Sequence, residues 1–145
     1  MRKIIYISLV AALAGVSLYG FLARENNSIQ GSLGGEELTL KVADTEALRE
    51  QGLSGSSPLS PHEGMLFIFP HSDNYGFWMK DMLFPIDIIW LDEHYRIVGT
   101  EERATPESFP KVFNPAVSSK YVVELRAGFI SEHHLQRGDL LEIKK

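Results

Sequence analysis

The feature that most restricts this chain is a run without a single charge, Ile4 to Ala23, whose apolar character is broken only by Tyr6, Ser8, Ser17 and Tyr19. As a helix rising about 1.5 Å per residue it would reach roughly 30 Å, the thickness of a bilayer's hydrocarbon core. A buried helix of a globular domain is the alternative, but such helices keep a polar face and this run has none. The segment therefore reads as a delivery device, either a cleaved signal peptide or a retained anchor. Ala12-Leu13-Ala14 supplies small residues for cleavage but leaves a short apolar core before it, and Phe21-Leu22-Ala23 puts an aromatic where a small residue is needed. The anchor fits better. Arg2 and Lys3 precede the run, whereas Arg24 after it stands beside Glu25. That bias orients the N-terminus to the cytoplasm and the domain beyond the run outside the membrane.

The rest of the chain divides in two. Residues 24–35 are rich in Asn, Ser and Gly and read as a flexible tether. Residues 36–145 are long enough for one hydrophobic core but not two. That part carries 11 basic and 18 acidic groups, a net of −7. Such a surface repels phosphate backbones and argues against a nucleic-acid partner. Cysteine is absent, which excludes disulfides, thiolate metal sites and a Cys nucleophile.

The local patterns are mostly those of strands. Leu38, Leu40 and Val42 alternate with polar neighbours, and Asp44, Glu46 and Gly52 bracket a short helix. Met65 to Phe69 is a short apolar run between Gly64 and Pro70, fit for a buried strand. Pro85 to Leu91 and Tyr95 to Gly99 read as a hairpin, and Tyr121 to Leu125 and Leu140 to Ile143 as further strands. Thr105 to Ser119 holds three prolines and reads as a long loop, and Phe129 to Leu135 as one or two helical turns. The expected fold is mainly β, a compact sandwich- or barrel-like domain with one or two short helices, preceded by an N-terminal transmembrane or signal helix.

The stretch richest in chemistry runs from Phe77 to Asp87. If Phe77 to Lys80 is extended, Trp78 and Lys80 share one face and Phe77 and Met79 the other. Asp87 sits between Ile86 and Ile88, and Glu124 between Val123 and Leu125. A carboxylate in such a place must be paired or well hydrogen-bonded, and Lys80 is a plausible partner for Asp87. These groups either tie strands together or converge as a binding site of Trp78, Lys80, Asp87 and Glu124. Two neighbouring carboxylates also permit acid–base hydrolysis by Asp87 and Glu124. His62, Glu63, His71 and Asp73 lack the spacing of a metal site, and His133-His134 point apart on a helix. No phosphate-binding, nucleophile-elbow, zincin or EF-hand motif is present, so no metal and no cofactor is expected.

Several ordered motifs carry a resemblance. Gly64-Met65-Leu66-Phe67-Ile68-Phe69-Pro70, Phe77-Trp78-Met79-Lys80, Pro85-Ile86-Asp87, Val123-Glu124-Leu125-Arg126-Ala127-Gly128 and Gly138-Asp139 resemble the DUF192 family, also called UPF0127, in their order and spacing. The opening, Val42-Ala43-Asp44-Thr45 with Gln51-Gly52-Leu53 after it, is similar too, so the resemblance spans about Leu38 to Ile143. Asp81-Met82 departs from the Asn-Thr that often comes after the lysine in the family, so Asp81 inherits no role. The resemblance implies a β-rich, sandwich-like domain, often exported, and no reaction. The candidate roles are then a non-catalytic envelope module binding a small polar ligand, a glycan or an envelope protein, an envelope hydrolase, or an accessory domain docked on a membrane partner. Trp78 motivates the first, because an indole beside polar groups suits a sugar face or a peptide side chain.

Overall fold

The computed structural model describes residues 27–144. The chain enters the sheet earlier than its composition suggests. β1 (Ser28–Leu33) pairs antiparallel with β2 (Glu36–Ala43), joined by Gly34 and Gly35 at φ 62° and 82°. Positive φ at both turn positions is the hairpin geometry that suits a glycine pair. The tether expected over 24–35 is thus corrected, since its second half is a strand. The misleading signal has a physical source. Ser28 and Gln30 face solvent, and Gly31 lies where a Cβ would sit 2.8 Å from the Glu142 carbonyl oxygen. A composition read as flexible is here the outer face and the close-approach point of a strand.

α1 (Glu46–Gln51) comes after β2. Its cap is Thr45 rather than Asp44: the Thr45 hydroxyl accepts from the Leu48 N–H at 3.3 Å, and Gly52 ends the helix at φ 49°. The chain then returns through a loop to β3 (Glu63–Asp73), which lies parallel to β2. β4 (Ile86–Leu91), β5 (Ile97–Ala104), β6 (Ser119–Arg126), α2 (Phe129–Glu132) and β7 (Glu142–Ile143) complete the domain, with a turn of 3-10 helix at Pro106–Ser108.

The seven strands form one sheet in the order β5-β4-β6-β3-β2-β1-β7, antiparallel except for β2 and β3. Its two edges approach each other. Ile97 N–H donates to the Asp139 carbonyl at 2.9 Å, and Leu141 N–H to the Tyr95 carbonyl at 3.0 Å, next to the Arg96–Leu140 bridge. The sheet is therefore curled into a half-barrel, the barrel-like form of the expected fold rather than two packed sheets.

Both sides of the sheet are buried. The enclosed side gathers Leu33, Leu40, Leu66, Ile89, Val123 and Leu125, with Phe129, Ile130 and Leu135 from the α2 region packed in. The outer side gathers Phe67, Ile86, Ile88, Trp90 and Val122 beneath Leu53, Met79, Met82, Phe84 and Phe113. β4 is buried at all six positions because it lies between these two cores, which explains its nearly uninterrupted apolar sequence. Residues 4–23, expected to anchor the chain, lie outside the described residues. Among the described residues no helix is long and apolar enough to cross a membrane.

Candidate functional site

The segment after β3 crosses the outer face of the sheet. Phe77 is held by a two-way backbone bridge to Phe113, 2.9 Å and 2.7 Å. Its ring meets Phe67 and Trp90 edge-on, 4.9 Å and 6.3 Å between centroids. Alternation then does what the sequence led us to expect: Met79 is buried at 1% exposure and Trp78 stands out at 51%. The Lys80 ammonium lies 5.8 Å from the Trp78 ring, within cation–π range. Beyond it the backbone is strapped to the turn after α1. The Ser54 hydroxyl donates to the Lys80 carbonyl and the Gly55 N–H to the Asp81 carbonyl, both at 2.9 Å. Asp81 adopts φ 56°, a left-handed conformation that Asp and Asn tolerate better than most residues.

α1 forms the opposite wall. One Arg49 nitrogen donates to two carbonyls, of Asp44 at 2.7 Å and of Ile68 at 2.8 Å, which lays the guanidinium 5.3 Å from the centre of the Phe69 ring. Phe69 in turn stacks on Tyr75 at 3.5 Å. Between α1 and residues 75–82 lies a cleft of about 680 Å³, within the size range of small-molecule sites. Its lining includes Arg49, Phe69, Tyr75, Trp78, Lys80 and Glu124.

Glu124 is the unusual member. It stands opposite Met65 on β3 and Ile88 on β4, is 5% exposed, and has one buried carboxyl oxygen without a hydrogen-bond partner. Burial pushes its pKa up to about 8, because the charged form has lost its water and gained no cation. At neutral pH the group is therefore mostly a neutral acid.

Asp87 behaves differently and corrects two expectations. It pairs in register with Leu125, one residue from Glu124, so the two carboxyls project from opposite faces of the sheet. Its partner is not Lys80. One oxygen accepts from the Arg103 and Gly128 N–H groups at 2.8 Å and 3.1 Å, and the other from Ile130 N–H at 2.8 Å. The Gly128 and Ile130 bonds satisfy donors at the start of α2 that no helical carbonyl reaches. Beyond Gly128 at φ 92°, the same corner is closed by the ion pair of Arg126 with Glu132. Asp87 is thus a fold-holding group, and the acid–base pair of Asp87 with Glu124 has no shared cavity in which to act.

Trp78, Lys80 and Glu124 come together in the cleft; Asp87 does not. Sequence reasoning missed Arg49, Phe69 and Tyr75, whose convergence depends on α1 folding back over β3. His62 lies 2.7 Å from Glu36 at the far end of β3 from His71. No group of three His, Cys, Asp or Glu among the described residues is arranged to hold a metal ion.

The chain has relatives among known proteins. A UPF0127 protein of Thermococcus gammatolerans is 31% identical over 104 residues, 70% of this chain and 64% of that protein. A UPF0127 protein of Thermococcus kodakarensis is 29% identical over 104 residues, 70% of this chain and 62% of its own length. The match thus spans less than two thirds of each relative. A solved structure from Sinorhizobium meliloti, described as a proposed transcription regulator, superposes with a TM-score of 0.73 at 28% identity, covering 80% of this chain and 92% of that one. A protein of unknown function from Novosphingobium aromaticivorans gives 0.72 at 25% identity, covering 79% and 83%. The profile of DUF192, described as an uncharacterized ACR, matches residues 28–143, from the first residue of β1 to the last of β7, and the chain belongs to that family.

Proposed function

We propose that this protein is a non-catalytic binding module, held at a membrane by residues 4–23 with its domain on the extracytoplasmic side, and that the cleft beneath α1 receives a small polar ligand. The observation that carries the reading is Glu124, a buried carboxyl with an oxygen left without a partner, in a cleft lined with aromatic rings. Native interiors rarely leave such an atom unsatisfied, and a ligand group is one way to complete it. The exposed Trp78 indole gives the ligand a flat apolar face, with the Lys80 ammonium beside it at the rim. The acid–base pair of Asp87 with Glu124 is not favoured, because Asp87 is held on the other side of the sheet.

A glycan or an envelope protein is the second reading. It is favoured by the edge-on pair of Trp78 with Phe109, 5.7 Å between centroids, since Phe109 is itself 43% exposed. An amide-resolved NMR titration with a panel of monosaccharides, short amines, alcohols and carboxylates separates the two. Shifts confined to α1, residues 75–82 and the Glu124 region support the small-ligand reading. Shifts limited to Trp78 and Phe109, or a silent cleft across the whole panel, overturn it.

A further inference from the structure

We infer that the cleft is built for a cation: a primary or methylated ammonium group on a short apolar arm, which lies against the aromatic lining and ion-pairs with Glu124. The inference rests on the cleft being a binding site and names the chemistry of its ligand. Three observations point the same way. Glu124 is more than nine-tenths buried, its immediate cross-strand neighbours Met65 and Ile88 are uncharged, and one of its oxygens accepts nothing. It therefore lacks a counter-charge, and a carboxyl in that position gains most from a positive group that can enter where solvent is excluded. The lining is also rich in aromatic side chains, Phe67, Phe69, Tyr75, Phe77 and Trp78. Two of these rings already hold cations of the protein itself, Arg49 on Phe69 and Lys80 beside Trp78, so the geometry of ring and positive charge is in use on both sides of the cleft.

Third, Glu124 is the one carboxyl of the lining that is buried. The charged groups facing the cleft are Glu46, Arg49 and Glu50 from α1, Lys80 and Asp81 from the crossing segment, and Glu124 from β6. Glu46, Glu50, Lys80 and Asp81 are solvated, and Arg49 is pinned to two backbone carbonyls. The rim is thus mixed in sign and screened, whereas Glu124, once it gives up its proton to an entering cation, presents a charge that solvent does not screen. A neutral hydroxyl could also bond to the protonated acid, but only the cation is served by both the carboxylate and the rings.

The two ligand types differ in how they respond to pH. An ammonium pairs with the carboxylate, so binding releases the proton that Glu124 holds at neutral pH. Its affinity should rise about tenfold per pH unit from pH 6 towards pH 8 and then level off. A neutral hydroxyl can accept from the protonated acid or donate to the carboxylate, so its binding needs no proton release and should lack that tenfold rise. The test uses n-butylamine, n-butanol and butyrate, three probes of one length and different charge, titrated by NMR into the protein and into Glu124→Gln at pH 6, 7, 8 and 9. The expected result is cleft-localised binding of n-butylamine with that rising profile, at least tenfold weaker and flat with pH in Glu124→Gln. Should Glu124→Gln fail to fold, the wild-type profile decides alone. Binding of n-butanol or butyrate in preference to n-butylamine leaves the cleft as a binding site but overturns the ammonium inference. So does n-butylamine binding without the pH dependence. If none of the three probes perturbs the cleft, the ammonium inference fails, and the wider panel of sugars, amines, alcohols and carboxylates decides separately whether the cleft binds anything.

Discussion

At the scale of single residues, Asp87 and Glu124 show how little two similar sequence contexts say about role. Both are carboxyls flanked by branched apolar residues, and both are buried. That much was legible, because the runs around them, Ile86 to Leu91 and Val122 to Leu125, are otherwise apolar on both faces of the strand and leave no side for water. Their partners were not legible. Asp87 is satisfied by N–H groups 16, 41 and 43 residues away, which belong to the backbone and carry no side-chain signal. Replacing it by Ala strands three backbone donors and should cost about 3–5 kcal/mol in urea unfolding, with little effect on any ligand bound in the cleft. Glu124 should instead couple stability to pH. Its folded pKa of about 8 lies above that of an unfolded carboxyl, so the folded chain keeps a proton that the unfolded chain gives up. That contribution is complete at acid pH, erodes as pH rises from about 4.5, and is spent by about 8, a loss on the order of 3–5 kcal/mol. Glu124→Gln should therefore gain stability relative to wild type between pH 4 and pH 9 by roughly that amount, read from paired urea melts.

Among the elements, the hairpin of β1 and β2 is the place where sequence boundaries and structural boundaries diverge. Gly34-Gly35 was a hairpin signal that polar composition masked, since Ile29 and Leu33 are the only apolar side chains β1 contributes to the enclosed core. β1 nevertheless joins β2 to β7 and so covers two edges at once. A chain beginning at Asn27 should unfold in one cooperative transition. One beginning at Glu36 should expose the β2 edge and aggregate or melt broadly, which size-exclusion chromatography and circular dichroism will distinguish. Other elements were readable in kind but not in extent. β3 runs past Pro70 to Asp73, because Tyr75 and Lys120 reach its far end, with the Tyr75 hydroxyl bonded to the His71 carbonyl at 2.8 Å. The segment from Phe77 alternates like a strand yet makes only the single bridge to Phe113, so its course is held by the burial of Met79 and by the bonds from Ser54 and Gly55 rather than by a ladder.

For the whole molecule, a mainly β fold could be read from the patterns, but the curl of the sheet could not. It depends on backbone bonds between Tyr95–Ile97 and Gly138–Leu141, segments that local pattern reads merely as turns. The net charge of −7 over residues 36–145 gives that part of the molecule a field that repels phosphate backbones. The topology we propose is checked by fusing alkaline phosphatase, active only outside the cytoplasm, after Lys145. High activity in intact cells is the expected outcome, and activity no higher than that of a leaderless control would rule the orientation out.

The division of the sheet into an enclosed side and an outer side also bears on how such a protein can change. Asp87, the α2 corner and the enclosed leucines fix the shape, while Arg49, Tyr75, Trp78 and Lys80 sit on the other side of β4 and β6. Substitutions in these two sets share few contacts, so their effects should be close to additive. The cleft can then be re-lined, by mutation in the laboratory or by drift between relatives, as an exchangeable face on a scaffold whose integrity is decided elsewhere.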